Sequence, residues 1–132
     1  MIGDSAHAHG GAYATGGSLA IDDAYAFYLA MTYVFPPSAT RKPNAAEIGQ
    51  ALRLYEATRK PHAEKLLDIV HKANKRKAAG VGKPVTDEAL RKTAAERPGT
   101  VWLAEHDVFG AFSEVVKRSE TSEREGAISP RL

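Results

Sequence analysis

The sequence predicts a mainly α-helical fold, and three observations support that prediction. Apolar residues recur at helical spacing, as in the stripe formed by Ile48, Leu52 and Tyr55. Residues that cap helices stand where such stripes begin, and prolines or glycines stand where they end. The composition also fits a folded domain, because 43% of the 132 residues are hydrophobic and a chain of this length can bury a real core.

The first predicted helix covers residues 18–33. It has little polar face, which is typical of a mostly buried helix, and its apolar residues recur as they do in a helix: Leu19, Ala20, Tyr25, Ala26, Leu29 and Ala30. The aromatic side chains of Tyr25, Phe27, Tyr28 and Tyr33 are interpreted as core packing rather than as a substrate pocket.

A second helix is predicted over residues 45–59, after a loop that begins at Pro36. Proline ends the first helix because it lacks a backbone N–H and disfavours helix in the residue before it. Asn44 is the predicted N-cap of the second helix, and Glu47, three residues later, completes a capping box.

Two further helices follow. Pro61 suits the first turn of a new helix, which is predicted over residues 61–79. Thr86 can cap a short helix over residues 87–96.

The last predicted helix covers residues 100–118. Its broad apolar stripe consists of Trp102, Val108, Phe109, Phe112, Val115 and Val116. Residues 119–132 are polar and charged and include Pro130, so they are predicted to be a disordered tail.

Composition and charge exclude several classes of protein. The absence of cysteine excludes disulfides, thiolate zinc sites and cysteine nucleophiles, and it fits a reducing compartment. No apolar run approaches the roughly 18 residues of a membrane span, and no signal peptide is visible. A cytoplasmic protein without a membrane partner is therefore expected. The net charge of +2 is too small to predict a nucleic-acid partner.

One region is nonetheless strongly basic. Residues 59–83 contain eight basic and two acidic residues. Such a run is usually a solvated face, and no aromatic residue interleaves it to stack on bases. Nucleic-acid binding stays as a less favoured alternative.

The most informative stretch runs from Gly3 to Ala24. Met1 and Ile2 are interpreted as the end of a strand, and the glycines that follow make a loop that a ligand can approach closely. Ser18 can cap the next helix, whose N-terminus offers free N–H groups and favours negative charge. With the carboxylate of Asp4, the stretch suits a ligand that has many hydroxyls and an electron-rich edge, although many glycine-rich loops only turn the chain.

The order of residues in this stretch resembles the second flavin-binding motif of the FAD-dependent aromatic hydroxylases, the salicylate-hydroxylase-like flavoprotein monooxygenases in particular. That motif runs Gly-Asp-Ala-Ala-His, a loop with proline and glycine, and Ala-Ile-Glu-Asp-Ala. Matching residues, without a gap, are Gly3, Asp4, Ala6, His7, Gly16, Ala20, Ile21, Asp23 and Ala24. Departures from the motif are Ser5 and Asp22, which replace Ala and Glu, Gly11 in place of the loop proline, and Ala14 in place of a loop glycine.

The resemblance implies a cofactor site made of Gly3, Asp4, Gly16, Gly17 and Ser18. The aspartate of the motif binds the ribityl hydroxyls of FAD. The loop and helix start lie against the pyrimidine edge of the isoalloxazine, where their N–H groups stabilise negative charge on the reduced flavin. The resemblance names no catalytic residue in this chain.

Two later segments match the same enzymes in the same order. Residues 54–63 are similar to their Tyr-Glu-x-x-Arg-x-Pro-Arg-Ala pattern, with His62 in place of the second arginine. Residues 102–108 are similar, less specifically, to a C-terminal Trp-x-x-Glu-His-Asp segment. The resemblance predicts that Arg59 and Glu56 pair with each other or brace the flavin domain.

The resemblance also implies the fold and the reaction. The chain contains no Gly-x-Gly-x-x-Gly fingerprint for the ADP half of FAD. Residues 1–118 are therefore expected to be a partial FAD-binding domain, the C-terminal helical part of a Rossmann-like monooxygenase fold with the dinucleotide-binding sheet missing. The intact enzyme would hydroxylate a small aromatic substrate with NAD(P)H and oxygen, and the isolated chain is expected to be inactive.

Other functions remain open at this point. One is a helical protein-interaction module with a vestigial flavin loop, and self-association through the exposed first helix is expected where its sheet is missing. His7 and His9, with Asp4, could form a metal site that His106 and Asp107 complete. This site is not favoured, because no third ligand stands at a recognisable spacing from the two neighbouring histidines. A hydrolase triad of sequence neighbours fails on geometry.

Overall fold

The computed structural model describes residues 16–82, 86–96, 99 and 101–128, except for the side chains of 123 and 125–128. It contains five helices in these residues: α1 (Gly16–Val34), α2 (Ala45–Gly80), α3 (Asp87–Ala95), α4 (Val101–Ala104) and α5 (Val108–Ile128). No described residue lies in a strand. The prediction of a mainly α fold is confirmed. None of the described helices combines the length and hydropathy of a membrane span.

Helices α1, α2 and α5 pack together around the main hydrophobic cluster. Three of its buried members are alanines, whose small side chains let the helix axes approach closely. The cluster consists of Ala26, Ala30, Ala51, Leu54, Tyr55, Val108 and Phe112. A second cluster lies toward the start of α1, where Leu19 packs with Leu66 and Val70 of α2 and with Trp102 and Leu103.

Helix α1 closely matches its predicted range. Its aromatic side chains, which were predicted to pack in the core, are partly exposed. Phe27 lies edge-on to Tyr55 in the core, with 6.1 Å between ring centroids. Tyr25 and Tyr28 face outward instead. The core interpretation is therefore wrong for these two tyrosines, because α2 and α5 cover only one side of α1. Tyr33 is 46% exposed, but its ring meets that of Phe112 edge-on with 6.0 Å between centroids.

Helix α2 is one continuous helix, so the predicted break between residues 59 and 61 is wrong. Pro61 lies inside it and is exposed. Proline removes one backbone hydrogen bond, and the packing of buried neighbours such as Thr58 and His62 offsets that loss. The predicted capping box is confirmed, since the Asn44 side chain accepts from the backbone N–H of Glu47 at 2.9 Å and the Glu47 carboxylate accepts from that of Asn44 at 2.8 Å.

Asp107 divides the last predicted helix into α4 and α5. Its carboxylate accepts a hydrogen bond from the backbone N–H of Gly110 at 2.9 Å and so caps α5. A Cβ at residue 110 would collide with that carboxylate. Helix α5 continues to Ile128, so the prediction of a disordered tail is wrong for residues 119–128. Part of the reason is tertiary, because Tyr33 donates its hydroxyl hydrogen to Glu120 at 2.8 Å.

Helix α3 contains no buried residue. Its predicted cap is confirmed, because the hydroxyl of Thr86 accepts a hydrogen bond from the backbone N–H of Ala89 at 3.2 Å. The last buried residue of α2 is Val70, and no described residue from 71 to 96 is buried. Residues 71–80 and α3 together are called the exposed arm.

Candidate functional site

Arg59, in the middle of α2, is the centre of the candidate site. Its side chain is 2% exposed, and arginine is rarely so buried unless it is paired. Its Nε donates a hydrogen bond to Oδ1 of Asp23 at 2.8 Å, and Asp23 is 0% exposed. Its Nη1 lies 3.4 Å from Oδ2 of Asp22. A buried ion pair therefore joins α1 to α2.

Tyr55 lies one turn before Arg59 on the same helix. Burial, reinforced by the charge of Asp23 and a hydrogen bond to it, raises the pKa of Tyr55 to about 12, although Arg59 acts in the opposite direction. The hydroxyl therefore keeps its proton at neutral pH and can donate it to Asp23. Two residues of α2, Tyr55 and Arg59, therefore interact with the buried carboxylate of Asp23.

His62 follows Arg59 on α2, and the stacking of its ring joins α2 to residues 101–107. The ring of His106 is stacked on that of His62, with centroids 3.9 Å apart and planes at 24°. Trp102 meets His62 edge-on at 5.0 Å. The ammonium group of Lys65 lies 4.1 Å from the centroid of the Trp102 ring, where the cation is attracted to the aromatic face.

His106 is held in its neutral form by its surroundings. Burial lowers the pKa of His106, and the positive charge of Arg59 lowers it further, while Asp22 and Asp107 partly oppose the shift. Its Nε2 is buried and has no hydrogen-bond partner in the described part of the chain. An imidazolium would be poorly satisfied at this position.

The site is therefore a convergence of three segments that are distant in sequence, and we call it the three-segment cluster. Its members are Asp22 and Asp23 from the first segment, Tyr55, Arg59 and His62 from the second, and His106 from the third. These are the three segments that resemble the aromatic hydroxylases. The predicted pairing of Arg59 with Glu56 is wrong, because Arg59 binds Asp23 instead. That Arg59 braces a flavin domain stays a prediction. Glu56, the other predicted brace, lies 3.7 Å from Lys60 on an exposed face.

The predicted cofactor-binding residues divide into two groups. Gly16, Gly17 and Ser18 are the first three residues of α1, and the N-terminus of a helix favours negative charge. Ser18 is the third residue of that helix, so its prediction as the cap is wrong. Gly3 and Asp4 lie outside the described residues, as do His7 and His9.

The first turn of α1 is open and free of acidic residues. A Cβ placed on Gly17 would have no atom of the described residues within 4 Å, and no acidic side chain stands in the turn. Since a helix rises about 1.5 Å per residue, Asp23 lies roughly 10 Å along α1 from Gly16. The cluster can therefore fix the direction of the helix without occupying its N-terminus.

The cluster has no feature of a metal or nucleophile site. No group of three or more potential metal ligands occurs among the described residues. Its chemistry is that of a buried charge network, which holds groups in place. Nη1 and Nη2 of Arg59 are both buried without a hydrogen-bond partner within the described ranges, although Nη1 lies 3.4 Å from the carboxylate of Asp22.

Two parts of this network escape prediction from sequence. The resemblance included Asp22 and Asp23, but not as partners of Arg59. A signal was present, because these are the only charged residues in the 19-residue α1, and charges in an otherwise apolar helix require partners. No sequence signal pointed to the stack of His62 on His106.

Comparisons with protein-family models, curated proteins and solved structures find no significant match to this chain.

Proposed function

We propose that this chain is the FAD-binding part of a monooxygenase that hydroxylates an aromatic substrate with NAD(P)H and oxygen. The observation that supports this most is the three-segment cluster. Three short segments are similar to one group of enzymes, and residues from all three meet at one buried network.

FAD supplies the redox chemistry when it is bound, and the chain holds and orients it. In this proposal Gly3 and Asp4 receive the ribityl hydroxyls. Gly16, Gly17 and Ser18 offer backbone N–H groups to the pyrimidine edge, where negative charge develops on reduction. The open space beside Gly17 and the absence of acidic residues in the turn fit such a ligand.

The cluster has a positioning role in the same proposal. Arg59 fixes α1 against α2 through Asp23, and the first turn of α1 carries the proposed flavin contacts. We further propose that the helices belong to the C-terminal part of a Rossmann-like fold, and that the protein works in the cytoplasm.

The isolated chain should bind FAD weakly. A charge-assisted hydrogen bond from a ribityl hydroxyl to the carboxylate of Asp4 contributes about 1.5–3 kcal/mol, and a helix N-terminus contributes about 0.3–2 kcal/mol. Nanomolar binding needs about 12 kcal/mol. Millimolar affinity is therefore the upper limit, and the chain alone should not oxidise NAD(P)H in response to an aromatic acid.

The test is a titration with FAD followed by amide chemical shifts in ¹H–¹⁵N spectra. We expect saturable shifts at Gly16, Gly17 and Ser18, and an affinity that Asp4→Ala weakens by about tenfold. Asp68→Ala is the matched control, because Asp68 is an exposed aspartate on α2. Absence of shifts at about 10 mM FAD, or equal loss of affinity in both variants, would contradict the proposal.

We also propose that the outer face of α1 binds a second copy of the chain. Ile21, Tyr25 and Tyr28 form an exposed stripe on one side of α1, with 71%, 44% and 59% of their surfaces accessible. The only charges of this helix, Asp22 and Asp23, are engaged by Arg59. An uncharged stripe can pack against its own two-fold copy without opposing charges.

Sedimentation velocity over a range of concentrations tests this second proposal. We expect dimerisation that Tyr28→Lys abolishes and Leu52→Lys preserves, because Leu52 is a similarly exposed apolar residue on α2. A monomer at every concentration, or equal effects of both variants, would overturn it. A dimer would leave the FAD proposal unaffected.

A further inference from the structure

Residues 101–107 are attached to the rest of the molecule differently from α1, α2 and α5. We call them the docked segment. No residue of α4, the four-residue helix within it, is buried. Trp102 and Leu103 are partly buried against the second hydrophobic cluster, and His106 is stacked on His62. The main cluster contains none of these residues, so the segment can separate from α2 while the three-helix core stays closed.

Charged and titratable groups face His106 from every element around it. Helix α2 contributes Arg59 and His62, and Lys65 lies over the neighbouring Trp102. Helix α1 contributes Asp22, with Asp23 behind it on Arg59. Asp107, on the segment itself, caps α5 through Gly110.

We propose that the docked segment is an acid-released latch, in which a proton on His106 separates residues 101–107 from α2 and uncovers Asp22 and Arg59. The latch does not depend on the FAD proposal and is tested without FAD.

The physical reason is that His106 stacks on a second imidazole and feels the positive charge of the Arg59 guanidinium. A proton on its ring adds a positive charge close to Arg59 and in contact with the ring of His62. The buried Nε2 finds no acceptor in the described part of the molecule. The carboxylates of Asp22 and Asp107 offset part of this cost, but Asp22 is already shared with Arg59.

The direction of the pH effect follows from the pKa of His106, which burial and Arg59 lower from its ordinary value of 6.5. The docked state binds fewer protons than the released state. Docking is therefore complete above about pH 6.5 and weakens as the pH falls through that value toward the lowered pKa.

Trp102 reports on the latch, because it is the only tryptophan of the chain and lies within the docked segment. We expect its emission to shift to the red between about pH 7.5 and about pH 4.5. Quenching by acrylamide should rise by about twofold as the indole becomes accessible, while far-UV circular dichroism shows that α1, α2 and α5 remain helical.

Two variants test whether protonation of His106 causes the change in Trp102 emission. His106→Phe keeps a ring for stacking but cannot bind a proton, so its emission should stay constant over the same range. His71→Phe is the matched control, since His71 is an exposed histidine on α2, and it should behave as the unmodified chain does.

Four results would overturn the latch. They are a transition that persists in His106→Phe, constant emission in the unmodified chain, loss of helix together with the change in emission, and a pKa of His106 at or above 6.5. The last is measured directly from the imidazole resonances of the unmodified chain, so the test does not depend on the folding of a variant.

Discussion

The three-segment cluster and the exposed arm both contain many charged side chains, but these side chains differ in how deeply they are buried. In the cluster, Arg59 and Asp23 are almost completely buried and bonded to each other. In the arm, six basic and two acidic side chains lie on a surface with no buried residue, and Arg76 lies 3.7 Å from Glu96, the C-cap of α3. The comparison shows that charge alone predicts neither function nor stability, because burial decides how strongly a charge depends on its partner.

The largest expected difference is between two arginines of α2. Arg59→Met leaves Asp23 buried without its cation, which should destabilise the fold by about 3–5 kcal/mol. Arg76→Met removes an exposed cation and should change the free energy of unfolding by less than about 0.5 kcal/mol. Urea denaturation of both variants measures this. Similar losses in the two would mean that Arg59 is not buried and paired.

The next difference lies within the cluster, between neighbouring aspartates. Asp23→Asn removes the charge that is fully buried and hydrogen-bonded to Arg59, and should cost about 2–3 kcal/mol. Asp22→Asn changes a partly exposed carboxylate that lies 3.4 Å from Nη1 of Arg59. It should lower the free energy of unfolding by less than about 1 kcal/mol. Thermal and urea unfolding rank the two. The reverse order would contradict the assigned geometry.

The smallest expected difference compares two tyrosines. Tyr55→Phe removes a buried hydroxyl that interacts with Asp23 and should cost about 1 kcal/mol. Tyr28→Phe changes an exposed ring, and its free energy of unfolding should lie within about 0.5 kcal/mol of that of the unmodified chain. A spectroscopic titration adds a second measurement, since the pKa of Tyr55 should be about 12.

The sequence predicts the helices well where local signals govern them. The capping box at Asn44 and Glu47 and the cap at Thr86 are in the predicted places. Local signals mislead at Pro61, because tertiary packing holds α2 together through a residue that usually starts or ends a helix. They mislead again after residue 118, where α5 continues to Ile128.

The candidate site is less predictable, because it depends on which helix faces meet. The sequence singled out the three segments but could not show that Asp23 and Arg59 face each other across 36 positions. Nor could it show that His62 would stack on His106. Such pairings follow from the angle and register of helix packing, which no short motif contains.

The three-segment cluster depends most directly on the bond between Asp23 and Arg59. A double-mutant cycle with Asp23→Asn and Arg59→Met measures their coupling from the unfolding free energies of the four chains. We expect a coupling of about 2 kcal/mol or more, because each substitution removes the partner on which the other residue depends. A coupling within about 0.5 kcal/mol of zero would show that the two residues act independently, and the three-segment cluster would then lack its centre.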